Sequence, residues 1–355
     1  MVESGIVQRV RGSLRALERL PMGAAERPPF GVVAACSGGA DSLALVLVLH
    51  DLARLGLLRL TVAHVDHGMR PESSAEAESV ARIAAGLGLV FDGRSIGPKA
   101  LGRHQGVGIE EAMRRERYRA LASVATGVGA RVIATGHHRR DQAETVLLHL
   151  VRGAGLRGAG GMREVSTVGI PWWPGEGTAT SVVIWRPLLA ESPATLRSLV
   201  DARGLSIAED QSNDDEAFRR NALRHRVLPM LEEIAPGAGQ NMANFARLAA
   251  DDNDALEAVA RAALGDAHNL LGRSHLLDQP LAIRRRMVRQ WVLDRAPGLE
   301  LTSERTEAVV TLIERNEGGK GVELGDGWTV TFRNGGIRLW RAEAEQPVQE
   351  RDGRS

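Results

Sequence analysis

The chain has 355 residues, with 45 lysines and arginines against 44 aspartates and glutamates, a net charge of +1. That length predicts two domains and ample core, while the near-neutral balance gives no sign of a broadly basic nucleic-acid coat. The single cysteine, Cys36, excludes an internal disulfide or a cysteine-built metal site. No apolar stretch is long enough to span a bilayer and residues 1–29 lack a signal-peptide core, so the expectation is a cytoplasmic protein with no membrane partner. Lys99 and Lys320 are the only lysines, so positive charge is carried by arginine, the residue suited to bidentate phosphate contacts.

Residues 1–29 carry no recognisable signal and read as an N-terminal extension. The apolar run 31–36 predicts a buried strand, Ser37-Gly38-Gly39-Ala40-Asp41-Ser42 a small-residue turn, and the run 43–49 an apolar helix. Further strands are predicted at 60–67, 89–91, 131–136 and 182–185, with helices at 72–85, 109–125, 141–151 and 192–202. Such alternation predicts an α/β domain over 30–215, a doubly wound, mostly parallel sheet with helices on both faces. Ligands in such sheets sit at the carboxyl ends of the strands. The segments 152–161 and 171–180 read as loops near that edge. From 216 to 341 the pattern is mainly helical, at 218–234, 240–264, 281–295 and 303–315, and ends in a small β tail. In that tail Asn334-Gly335 joins the strand-like runs 327–332 and 336–340 as a hairpin. Residues 342–355 read as a frayed tail.

The turn at 37–42 has the chemistry of a phosphate cradle. A strand end feeding a helix start presents unpaired N–H groups and the positive end of the helix dipole. Gly38 and Gly39 let the backbone approach phosphate oxygens, and the hydroxyls of Ser37 and Ser42 add hydrogen bonds. Asp41 is a poor neighbour for bare phosphate and points to a magnesium ion or to organisation of the loop. The lysine of ordinary P-loops is absent. A second block, Thr135-Gly136-His137-His138-Arg139-Arg140-Asp141-Gln142-Ala143-Glu144-Thr145, spaces His137, Asp141 and Glu144 at i, i+4, i+7. Two carboxylates and a histidine at a strand end suit magnesium or an amine nucleophile, although an acidic helix N-terminus has the same composition. Arg114 and Arg117 share a helix face flanked by Tyr118, and Arg220 and Arg224 share another; each is also what a solvated charged face looks like. Arg284, Arg285, Arg286 and Arg289 form a further candidate RNA face.

Ser-Gly-Gly-x-Asp-Ser after a first strand resembles the PP-loop of the ATP pyrophosphatases, which have the adenine nucleotide α-hydrolase-like fold. The run from His64 to Arg70, the helix Glu110 to Tyr118, the block at 135–145, and Asp210-Gln211-Ser212-Asn213 with Arg220-Asn221-Ala222-Leu223-Arg224-His225 are similar, in order, to the tRNA(Ile)-lysidine synthases. The resemblance implies that Ser37, Gly38, Gly39, Ala40, Asp41, Ser42 and His64 bind ATP. It assigns catalysis to Asp41, His137, Asp141, Glu144, Arg114 and Arg117, and magnesium to Asp41, Asp141 and Glu144. Arg220, Asn221, Arg224 and His225 would touch tRNA. The implied reaction activates C2 of the wobble cytidine in a CAU-anticodon isoleucine tRNA with ATP, then joins it to free L-lysine; a homodimer is left open. A tRNA thiolase of the same superfamily would call for catalytic cysteines beyond Cys36, and a glutamine amidotransferase for a cysteine-bearing glutaminase domain. A non-catalytic, ATP-gated RNA-binding module would not call for Asp41, His137, Asp141 and Glu144 beside the loop.

Overall fold

Val32 and Ala34 turn to one side of the first strand and Val33 to the other, and all three are buried. A strand hidden on both faces belongs in a parallel sheet covered by helices on both sides. The structure, a computed structural model, describes residues 2–18, 29–66, 73–104, 106–169, 181–207, 219–265 and 270–342. It divides into two compact units, residues 1–250 and 251–355.

The first unit begins with α1 (Val2–Glu18), β1 (Phe30–Ala35), α2 (Ala40–Arg54), β2 (Leu58–Asp66), α3 (Ser73–Gly86) and β3 (Val90–Ser95). It continues with α4 (Pro98–Leu101), α5 (Ile109–Gly127), β4 (Val132–Ala134), α6 (Arg139–Val151) and α7 (Leu156–Ala159). Next come β5 (Val165–Gly169), β6 (Ser181–Trp185), α8 (Pro193–Ala202) and α9 (Arg219–Ala222). A π-helical turn, Leu223–Val227, leads to α10 (Leu228–Ile234) and α11 (Ala238–Leu264). The division between the units falls within α11; the junction expected at 215–216 lies outside the described residues.

Six strands form one sheet in the order β3-β2-β1-β4-β6-β5, parallel except for β5, which runs antiparallel to β6. One core packs Val32, Ala34, Val132, Ala134, Val183 and Trp185 against α1, α2, α3 and α8. The other packs Val33, Ile133 and Ile184 against Tyr118, Leu121 and Val124 of α5. Leu45, Leu47 and Leu49 of α2 are at most 2% exposed, each worth about 1.5–3 kcal/mol of burial. The chain leaves β1 towards β2 and β3, then returns to the other side of β1 with β4. The crevice between the carboxyl ends of β1 and β4 is therefore the topological switch point, where open α/β sheets bind their ligands.

Residues 1–29 hold more than an extension. Ile6, Val10, Leu14 and Leu17 of α1 are at most 6% exposed and belong to the first core. Arg9 pairs with the buried Glu191 through Nε–Oε1 (2.6 Å) and Nη2–Oε2 (2.9 Å), and Trp185 Nε1 donates to Ser13 Oγ at 3.0 Å.

In the second unit the end of α11 is followed by β7 (Leu271–Gly272), α12 (Arg273–Leu277), α13 (Leu281–Arg295), α14 (Ser303–Glu314), β8 (Gly321–Gly325), β9 (Trp328–Arg333) and β10 (Gly336–Arg341). The last strands make an antiparallel sheet, β7-β10-β9-β8, closed over Met287, Trp291, Val309, Ile313, Val330 and Ile337. Asn334 (φ 53°) and Gly335 (φ 73°) take the two positive φ values of a tight hairpin turn, as expected of Asn-Gly. Among the described residues no helix is long and apolar enough to cross a membrane. His67 to Arg70, the loop 171–180, Asp210 to Asn213 and the tail from 343 lie outside the described residues.

Candidate nucleotide and carboxylate site

The turn after β1 is held by its own side chains. Gly38 has φ 93°, a conformation that favours glycine, and Gly39 is the N-cap of α2. Ser42 is only 8% exposed; its Oγ donates to Gly39 O (2.9 Å), accepts from Ser37 N–H (3.1 Å) and meets Ser37 Oγ at 3.2 Å. The Ser42 hydroxyl thus holds the turn in shape. The first-turn N–H groups of α2 have no intrahelical partner and carry the positive end of the dipole. His64 is buried at the carboxyl end of β2, and its Nδ1 donates to Cys36 O at 2.9 Å, pinning the strand end that starts the turn. Burial pushes the Cys36 thiol above its ordinary pKa, against a weaker pull from Ser42 and the Gly38 backbone. An inert, buried thiol is unsuited to sulfur chemistry.

The loop after β4 faces this turn. Gly136 is placed so that a Cβ on it would lie 2.9 Å from Asp41 O, so only glycine lets the two loops touch. His138 joins them through side chains: Nε2 lies 3.3 Å from Asp41 Oδ2, and Nδ1 lies 3.2 Å from Asp141 Oδ2. Asp141, at the third position of α6, also reaches back to accept the His138 N–H at 2.9 Å, a capping arrangement. One face of α6 then carries Asp141 and, three residues on, Glu144, which is 0% exposed. The start of α6 is held from outside as well, since Arg139 N–H donates to the carbonyl of Glu191, whose side chain is tied to Arg9.

Two arginines close on those carboxylates. Arg224 Nε and Nη2 meet Glu144 Oε1 and Oε2 at 2.7 and 3.1 Å, and Nη2 also meets Asp141 Oδ1 at 3.1 Å. Arg220 Nε meets Glu144 Oε2 at 2.8 Å. Their spacing does put them on one face, and that face meets the carboxylate pair. Arg224 belongs to the π-helical turn, a rare geometry concentrated at functional sites. His225 is exposed and Asn221 half-buried on the same segment.

Two of the three carboxylates expected to hold magnesium, Asp141 and Glu144, have other partners. Both Glu144 oxygens and both Asp141 oxygens are engaged by arginine or His138. Among the described residues no group of three or more His, Cys, Asp or Glu forms a metal cage. Asp41, with 43% of its side chain exposed, is the carboxylate that fits a phosphate-bound magnesium, an ion that usually takes few protein ligands.

The two neighbouring histidines are driven apart. Burial lowers His137 to about 4, with the charges of Arg186, Arg220 and His138 adding to it against Asp141, so its ring is neutral near pH 7. Thr135 Oγ1 lies 2.8 Å from its Nδ1. For His138 burial also pulls down, but the Asp41 hydrogen bond and the charges of Asp141 and Asp41 outweigh it and raise the pKa. A raised folded value stabilises fully below the unfolded value of 6.5, and the gain is lost as pH rises through the folded one. A lowered value costs stability as pH falls from 6.5 towards about 4, because the unfolded chain takes up the proton first. His138→Gln is therefore expected to lose more stability near about pH 5.5 than near about pH 8.5. His137→Gln is expected to gain relative acid tolerance over the same window. Urea unfolding of both variants at the two pH values checks this; pH-independent losses of equal size would contradict it.

Arg114 is spent on Glu111, through Nε–Oε2 (2.7 Å) and Nη2–Oε1 (3.0 Å), and lies over the Tyr118 ring at 5.6 Å. Arg117 is exposed on the same helix. Arg284 caps α12 through Leu276 O, Leu277 O and Gln279 O, Arg285 pairs with Glu307, Arg286 meets Asn253, and Arg289 meets Leu301 O. These arginines are thus bonded within the second unit, and Arg285 remains exposed.

Sequence reasoning passed over His138 in favour of His137, although an aspartate three residues after a helix-start residue is a capping signal. It also passed over Arg186, 9% exposed, whose charge helps keep His137 neutral.

A glycine-bearing turn at the switch point, without the P-loop lysine and facing a histidine–carboxylate chain, defines a nucleotide-binding domain of the PP-loop class. The PP-loop domain family matches residues 16–231, and the TilS substrate binding domain matches residues 271–342. The chain is 37% identical to the tRNA(Ile)-lysidine synthase of Streptomyces coelicolor over 334 residues, 90% of this chain and 88% of that protein. It is 42% identical to that of Geobacter sulfurreducens over 239 residues, 67% of this chain and 48% of that protein, so it spans about half the length of this longer relative. The chain belongs to the tRNA(Ile)-lysidine synthase family. In fold alone it is similar to the U34-tRNA thiolase NcsA of Methanococcus maripaludis, with TM-score 0.54 and 15% identity over 70% of this chain and 80% of that one.

Proposed function

We propose that this chain joins L-lysine to C2 of the wobble cytidine of a CAU-anticodon isoleucine tRNA, using ATP and releasing pyrophosphate and AMP. The observation that carries the reading is the PP-loop at the β1/β4 crevice, joined through His138 to Asp141, which shares the Arg224 guanidinium with Glu144, in a member of this family.

ATP lies with its phosphates on the turn Ser37–Ser42, its oxygens facing the first-turn N–H groups of α2. The cytidine C2 oxygen attacks the α-phosphorus, a C2–O–P bond forms, and the bond to pyrophosphate breaks. Activation is necessary because a carbonyl oxygen leaves carbon poorly, whereas AMP leaves well. The lysine ε-amine then attacks C2, the C–N bond forms, and AMP departs with the C2 oxygen. A magnesium ion, when bound, neutralises phosphate charge, and Asp41 is the residue suited to hold it. The proton shed by the attacking nitrogen needs an acceptor. Glu144 is a poor one, since both its oxygens hold guanidiniums. The neutral His137 is the better candidate, because a nitrogen already bonded to C2 is acidic enough for a weak base.

A cavity of about 620 Å³ adjoins Arg224, within the usual range for small-molecule sites. Arg139, Arg140, Arg224 and Glu232 line it, so cations for a carboxylate and an anion for an ammonium group stand in one space. A lining that carries both signs of charge supports free lysine as its occupant, although Glu232 also accepts the Gly237 and Gly239 N–H groups. Cys36 as the sole, buried cysteine weighs against the thiolase alternative.

Pyrophosphate release measured with lysine omitted tests the order of steps. Release is expected to require the CAU-anticodon isoleucine transcript and to yield adenylated tRNA, with no release on a methionine tRNA. Release from ATP that is indifferent to tRNA would contradict the reading.

A further inference from the structure

Successive residues of β10 point to opposite sides of the C-terminal sheet. Ile337 is buried and Leu339 half-buried in the core of the second unit, so Arg338 and Trp340 stand on the outer side. On β9 Thr331 lies opposite Arg338, Thr329 opposite Trp340, and Arg333 opposite Gly336 at the hairpin end. Trp340 keeps 48% of its surface in solvent, although an indole gains much from being covered. Arg333 and Arg338 are exposed as well. Glu323 of β8, opposite Thr329, is the one carboxylate among the described outward positions of β8 to β10. A protein partner would meet an apolar patch around such a tryptophan. Here the surroundings are threonine hydroxyls and guanidiniums.

We propose that this outer face is a stacking surface for unpaired nucleotides of the tRNA, with Trp340 under a base and Arg338 and Arg333 on the phosphates beside it. The proposal rests on the reading of tRNA as substrate and adds where a single-stranded part of it lies. Sequence-tolerant binding of single strands combines an aromatic platform with adjacent cations. Arg338 and Trp340, two residues apart on one strand, are separated by about 7 Å, so one nucleotide can touch both. The substrate binding domain matched at residues 271–342 contains every residue of this face.

The test uses the full chain and a fluorescently labelled CAU-anticodon isoleucine tRNA transcript. Trp340→Ala is expected to weaken binding about tenfold, while Trp340→Phe, which keeps an aromatic face, stays within about threefold of the parent. Arg333→Ala with Arg338→Ala is expected to make the slope of log affinity against log salt shallower by about 1 to 2. The KM for ATP stays unchanged in all three, since none of these residues lies in the nucleotide site. Unchanged tRNA affinity in Trp340→Ala and in the double variant would overturn the proposal, as would a change confined to self-association in sedimentation. The two readings fail separately. A chain that binds tRNA through Trp340 but attaches no lysine leaves this surface standing and removes the ligase. A chain that attaches lysine with Trp340→Ala at parental tRNA affinity does the reverse.

Discussion

Glu144→Gln is expected to cost about 2–3 kcal/mol of stability. Glu144 is wholly buried and is the shared acceptor of Arg220 and Arg224. Its amide replacement offers one accepting oxygen and turns an NH2 group towards two guanidiniums. Removing one partner of a buried ion pair costs about 3–5 kcal/mol when the other charge is stranded. Here the arginine side chains keep 36% and 21% of their surface exposed, so water relieves part of that loss. For a unit of this size the expected drop in Tm is about 4–12 °C. Adding Arg224→Gln is expected to recover part of it, because the stranded charge goes with it. Thermal unfolding of the three variants decides the matter, and an unchanged Tm in Glu144→Gln would show that the network does not support the fold.

Asp41→Ala is expected to act in the opposite way, on rate and not on stability. Asp41 is partly exposed at the start of α2, and its described partner is His138. Losing a carboxylate near a helix N-terminus costs about 0.3–1 kcal/mol. Losing a group that organises the phosphates in the transition state costs about 3 kcal/mol, or roughly a hundredfold in tRNA-dependent pyrophosphate release. Single-turnover release with parental circular dichroism is the measurement. Near-parental turnover would remove Asp41 from the chemistry and leave it as a helix-start carboxylate.

The strand, turn and helix around residues 31–49 were legible because their signals are local: an apolar run, two glycines and a second apolar run. The same holds for β4, its loop and α6, and for the Asn334-Gly335 hairpin. What the sequence could not show is which distant group each charged side chain meets. Arg220 and Arg224 lie 76 and 80 residues from Glu144, so their shared face was readable and its partner was not. The same limit hid α1. Ile6, Val10, Leu14 and Leu17 repeat at helical spacing, but the groups that tie the helix down, Trp185 and Glu191, are more than 170 residues away. The arginines at 284–289 show the same limit, since a cation that caps carbonyls and one that faces RNA look alike in one dimension.

The proposed function requires a carbon–nitrogen bond between lysine and a cytidine. The most direct measurement is mass spectrometry of a CAU-anticodon isoleucine tRNA after incubation with the chain, ATP and isotopically labelled lysine. The expected product has gained one labelled lysine less one water, confined to the wobble cytidine and absent when ATP or lysine is left out. ATP consumption with no lysine-dependent adduct, or an adduct on any other nucleotide, would contradict it.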